Sequence, residues 1–140
     1  MSENTERLHN QGAAHADLMG VEFDNFDAER EEITLRFAAP DSVITPRGSV
    51  QGGLVAGFLD EVMGWPHVWA TEQREAPLNL DIAMTLLRPV LAAPLVGKGR
   101  VIRRGRRVIF LDGELFGEEG NRLARSTSTA IPTPRPTGDN

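Results

Sequence analysis

The tightest constraint on how this chain can fold is a long stretch without charge. Residues 48–59 read GSVQGGLVAGFL, and the sequence runs on through DEVMGWPHVWA. This pattern predicts a helix over residues 53–70 that is apolar on nearly every side, and such a helix has to be covered all round. Pro66 removes one amide and crowds the turn before it, so it is expected to bend the helix or end its regular part. With 140 residues the chain is sized for one domain, which can bury about two-thirds of its unfolded surface. The cover for the helix has to come from the remaining segments.

Those segments carry a different period. Residues 31–37 place Ile33, Leu35 and Phe37 on one face, the alternation of a half-buried strand. After a loop with two prolines at 39–48 and the helix, residues 78–87 alternate Leu78, Leu80, Ile82, Met84 and Leu86. Residues 95–102 and 106–116 flank Arg103-Arg104-Gly105, a tight hairpin signal. Gly117-Glu118-Glu119-Gly120 marks another turn, and residues 122–131 supply a last strand. The order is strand, long helix, then four strands. An α+β fold satisfies it, with a curved antiparallel sheet of five or so strands wrapped around one buried helix. Residues 1–29 read as an N-terminal arm or short helix and 30–132 as the domain. The proline-rich end, 133–140, reads as a disordered tail. One sheet on one helix encloses it incompletely, so edge-to-edge pairing with a second copy is expected.

Composition narrows the chemistry. Cysteine is absent, which removes disulfides, thiolate catalysis and cysteine-ligated zinc. Two of the three histidines, His9 and His15, fall in the polar N-terminal stretch and the third is His67, so no metal site is expected. The acidic MSENTERLHN start is unlike a secretory signal. No apolar run approaches the roughly 20 residues of a membrane span. A cytoplasmic protein without a membrane partner is the expectation. The net charge is −5, yet Lys98, Arg100, Arg103, Arg104, Arg106 and Arg107 cluster with no acid among them. A nucleic-acid binder would spread its positive charge more widely. The cluster suits a small phosphorylated ligand or a solvated hairpin end.

Three segments together resemble a known family. Residues 45–53 read Thr-Pro-Arg-Gly-Ser-Val-Gln-Gly-Gly, followed by Leu59-Asp60-Glu61 and Gly64; LLRPVLAAPLVGKGRVIRRGRR and LARSTSTAIP come later. This looks like the hotdog-fold acyl-CoA thioesterases of the phenylacetate-degradation (PaaI-like) group. Their pattern is Asn-x-x-Gly-x-x-His-Gly-Gly with an acid nine residues after the histidine. Here the asparagine is Thr45 and the histidine is Gln51. The resemblance implies a homodimer or homotetramer hydrolysing the thioester of a small to medium acyl-CoA, aromatic ones included. Coenzyme A is then part of the substrate and no separate cofactor is implied. By position, Asp60 is the carboxylate assisting attack, as base or nucleophile. Gly52 and Gly53 polarise the carbonyl through their amides. The position of Gln51 shapes the helix entry near the thioester, that of Thr45 orients the attacking water or the carboxylate, and Asn79 faces the neighbouring subunit's site. Arg88, in the Arg-Pro strand end, and Arg103, Arg104, Arg106 and Arg107 are the candidates for binding coenzyme A.

The residues also bear on these roles directly. An isolated carboxylate within an apolar helix costs several kcal/mol unless it is paired or useful, which draws attention to Asp60. Glu61 is its rival. One residue turns by about 100° on a helix, so only one of the two is expected in a given pocket. Amides at a helix start are unpaired and sit at its positive end, and glycine lets a carbonyl approach them. Steric need alone also explains glycines there. Gln51 can donate a hydrogen bond but cannot act as a base. Asn79 also fits an ordinary strand surface. His67 lies two turns beyond Asp60, about 10 Å of rise, and reads as packing or surface, while Trp65 and Trp69 read as core or interface. Two other functions compete: a non-catalytic acyl-CoA binding protein, and a hotdog hydratase or dehydratase, which usually needs the histidine missing here.

Overall fold

The computed structural model describes residues 2–9 and 14–136; the last four residues of the expected tail lie outside these. Two short helices come first, α1 (Glu3–His9) and α2 (Ala14–Met19). The strands β1 (Glu22–Asp27) and β2 (Glu32–Ala38) precede the long helix α3 (Gly52–Ala70), and β3 (Glu75–Leu86), β4 (Pro94–Arg104), β5 (Ile109–Phe116) and β6 (Arg122–Pro134) follow it. All pairings are antiparallel, in the order β1-β2-β4-β5-β6-β3. The sheet therefore has six strands. β1 was not expected, because Phe23 and Phe26 do not alternate and a bulge falls between Phe23 and Asn25.

Period-2 burial builds the sheet's inner face. Ile33, Leu35 and Phe37 of β2, Leu95 of β4 and Ile109, Leu111 and Leu115 of β5 are buried against Val55, Phe58, Leu59, Val62 and Met63 of α3. Where the helix crosses the middle strands, side chains give way to glycines. A Cβ on Gly99 would lie 1.8 Å from the Val62 carbonyl oxygen, and one on Gly97 would lie 2.7 Å from the Phe37 ring. Gly113, paired with Gly99, would bring one to 2.7 Å from Met63. Backbone thus meets backbone at the crossing, which only glycine permits.

One of the two outcomes expected of Pro66, and the full cover expected for α3, are corrected. Pro66 does not end the helix, which continues to Ala70; the Val62 carbonyl that loses its helical donor there is the one facing Gly99. Nor is α3 covered on all sides. Gly53, Leu54 and Asp60 are exposed, because one sheet wraps one flank and the other faces outward. β3, at the sheet's edge, repeats this: Leu78, Leu80, Ile82 and Leu86 are 58%, 58%, 40% and 49% exposed. No helix among the described residues is long and apolar enough to cross a membrane.

Candidate active site

Asp60 follows the buried Leu59 by one residue and so swings about 100° away from the sheet, onto the open flank of α3. It is exposed, so the burial penalty expected from its apolar neighbours in sequence does not arise within one chain. The Asn79 Nδ2 of β3 donates to Asp60 Oδ1 at 2.5 Å. Asn79 Oδ1 in turn accepts from Ser128 Oγ of β6 at 3.1 Å. Asn79 thus contacts the carboxylate of its own chain, where the resemblance implied a neighbour's site. One Asp60 oxygen remains available to a water or an acyl carbon.

Asp60 and Glu61 line the same pocket, of 330 Å³, with Trp65, Val68, Pro77 and Asn79. The expectation that adjacent acids cannot share a pocket is corrected, because this one spreads along the groove between α3, α2 and β3. Glu61 is the more buried, with its side chain 10% exposed. Trp65 Nε1 donates to Glu61 Oε1 at 2.7 Å, and His15 Nε2 lies 3.2 Å from Glu61 Oε2. Arg135 closes the pocket's far side, its guanidinium 5.4 Å from the Trp65 ring centre and its Nη1 donating to Gln73 Oε1 at 3.3 Å. Burial pulls the Arg135 pKa below its ordinary value.

The arm that delivers His15 is folded. Leu8, Ala16 and Val21 are fully packed into the core. His9 donates from Nδ1 to the Asp17 carboxylate and from Nε2 to the Val21 carbonyl, each at 2.7 Å. The Val21 contact raises the His9 pKa above its ordinary value; burial opposes this and Asp17 reinforces it. Phe23 stacks on Trp69 at 5.3 Å, and Trp69 meets Trp65 edge-on.

The other expected residues lie elsewhere. Gln51 is the N-cap of α3, its Oε1 accepting from the Leu54 amide at 3.1 Å. Thr45 contacts Ser49, through hydroxyls 3.4 Å apart and a backbone bond of 2.8 Å, and not Gln51. Gly52 and Gly53 open the helix, with no helical acceptor for their amides. Eight residues separate Gly52 from Asp60, about 12 Å of rise, so one chain does not bring the carboxylate and these amides together. Arg103, Arg106 and Arg107 are exposed, with no ion pair among the described residues. Arg104 is held by Glu31 through a forked pair at 2.9 and 2.8 Å and donates from Nε to His67 Nδ1 at 3.2 Å. His67 is fully buried and donates from Nε2 to Glu75 at 2.8 Å, since its Nδ1 is already an acceptor. Arg88 lies beyond the opposite end of β4 from this hairpin, about 33 Å of strand away. Among the described residues no group of acids and histidines is placed to hold a metal ion.

No protein-family model and no curated protein matches the chain. Solved structures do. A phenylacetic acid degradation-related protein from Ralstonia eutropha JMP134 is similar at 29% identity, with a TM-score of 0.81, covering 93% of this chain and 99% of that one. A thioesterase from Haemophilus influenzae matches at 19% identity and TM-score 0.81, covering 100% of this chain and 95% of that one. A Streptococcus mutans protein, smu.793, bound to acetyl CoA, matches at 17% and 0.71, covering 84% and 91%. The fold is that of the PaaI-type hotdog thioesterases. Within this hotdog frame, Asp60 and Asn79 meet as a pair while Gln51, Gly52 and Gly53 form a second group at the helix start. His15, Trp65 and Arg135 are pocket residues that the sequence did not single out for this site, and Glu61, expected only as a rival to Asp60, lines it as well. The buried Leu8 and Ala16 were a faint signal that the arm docks, but local pattern does not say onto what.

Proposed function

We propose that the protein hydrolyses acyl-CoA thioesters as a homo-oligomer, with Asp60 assisting the attack on the acyl carbon. The observation that carries this is the exposed Asp60, fixed by Asn79 beside a pocket of 330 Å³, on a fold whose relatives include a thioesterase and an acetyl-CoA-bound protein. A pocket of that size suits a small to medium acyl group, aromatic ones included. The exposed leucines of β3 and the open flank of α3 form an apolar face that a second copy would cover. Such pairing supplies what one chain lacks, the Gly52 and Gly53 amides of one copy near the Asp60 of another. Those amides would polarise the thioester carbonyl as it gains negative charge. Arg103, Arg106 and Arg107 are the free cations for the phosphates of coenzyme A.

A second reading is acyl-CoA binding without turnover. It is favoured by Gln51, whose side-chain oxygen is occupied in capping α3. Thiol release from a panel of CoA esters decides between them. Asp60→Asn keeps the shape and removes the charge, so kcat should fall at least about 100-fold while the fold survives. Unchanged turnover in that variant, or a compact monomer in sedimentation that is fully active, would overturn the proposal; no cleavage of any ester would leave the binding reading.

A further inference from the structure

The pocket beside Asp60 contains a second group with acid-base capability. His15 stands on α2 with its Nε2 3.2 Å from Glu61 Oε2, and Glu61 is itself fixed from the other side by Trp65 Nε1 at 2.7 Å. Glu61 bears no hydrogen in its carboxylate form, so Nε2 is the donor and His15 Nδ1 is left as the basic nitrogen. The imidazole is 57% exposed while the carboxylate behind it is 10% exposed. That is the layout of an oriented base: a buried carboxylate sets the ring and its tautomer, and the ring lines the pocket that holds Asp60. The placement is built, since Ala16 next to His15 is fully buried and the arm is pinned by Leu8 and by the two His9 hydrogen bonds.

We propose that His15, oriented by Glu61, is the general base of the hydrolytic step, a deduction that rests on the thioesterase reading above. Asp60 and Asn79 position the attacking water. His15 Nδ1 takes one proton from that water as its oxygen bonds to the acyl carbon and the carbonyl pair moves onto oxygen. On collapse, the C–S bonding pair leaves with sulfur, and the proton on His15 passes to the thiolate. The products are the carboxylic acid and the free thiol, and His15 ends neutral. An imidazole with one ring nitrogen held as a donor leaves the other free to accept a proton. The charged groups around the ring are Glu61 and Asp60 of α3 and Arg135 after β6.

The experiment is the pH profile of kcat for the full-length wild type, His15→Asn and Glu61→Gln on one CoA ester that the wild type cleaves. His15 is exposed, so the Asn variant should fold, and circular dichroism checks this. His15→Asn should lower kcat about 30- to 100-fold with KM nearly unchanged, and should lose one limb of the wild-type profile. Glu61→Gln should lower kcat less and move that limb without removing it. A His15→Asn protein with wild-type kcat and an unchanged limb overturns the base and leaves the thioesterase reading intact. A fall in activity that appears only as raised KM assigns His15 to holding the arm, which also overturns it. A wild type that cleaves no ester in the panel overturns both together.

Discussion

The two halves of α3 are built in opposite ways. From Val62 onward the helix is clamped: Gly97, Gly99 and Gly113 bring the sheet against its backbone, and His67 joins Glu75, Arg104 and Glu31 in a chain of hydrogen bonds. From Gly52 to Asp60 it buries Val55, Phe58 and Leu59 but leaves its other flank open. Leu54 is 40% exposed, Asp60 lies in solvent, and a Cβ on Gly57 would meet nothing within 4 Å. The second half is clamped, whereas the first also presents unpaired amides and a carboxylate on its open flank. Groups left unsatisfied by the fold are the ones able to act on a ligand, and here they are gathered on one half of one helix.

Breaking the clamped half should have the largest effect. Gly99→Ala places a methyl group on the Val62 carbonyl, a backbone atom that cannot swing aside, so it should cost about 3 kcal/mol or more. The urea midpoint should drop sharply, and an unchanged midpoint would show that the helix sits further from β4. Arg104→Ala removes the donor to buried His67 and the partner of Glu31, and should cost about 1–3 kcal/mol by the same measurement. The smallest effect belongs to the open half. Gly57→Ala should raise stability by about 0.5–1 kcal/mol, because alanine is the better helix former and nothing in the chain obstructs it. A destabilised Gly57→Ala would sharpen the comparison by showing that this surface is covered in the assembled protein.

The clamped half was the more legible in sequence. The apolar run at 48–59 and its continuation predicted α3 nearly to the residue, alternation placed β2, and turn signals placed β4, β5 and β6. These are local signals, set by one side chain's relation to the next. What escaped were facts of docking. Asp60 was expected to be buried because its neighbours in sequence are apolar, but the helix turns it away from its only sheet. The apolar alternation of β3 was legible, yet not that its leucines would be exposed on an edge strand. Glu61 and His15 meet from segments 46 residues apart, and Arg104 is drawn to Glu31 across the sheet. Charge pattern marked Arg104 as one of a cluster, but could not show that an acid from another turn had already claimed it.

The contact between Gly99 and the Val62 carbonyl also bears on how this sequence can drift. Pro66 withholds the amide that this carbonyl would otherwise accept from, and Gly99 lets β4 lie against it. The two residues sit on different elements, yet their fitness effects are joined. Restoring an amide at position 66 would repair the helix without making room at position 99. A side chain at 99 would be tolerated only after the helix had moved. A larger residue at 99 should therefore be found only with α3 shifted along the sheet, whatever residue stands at 66.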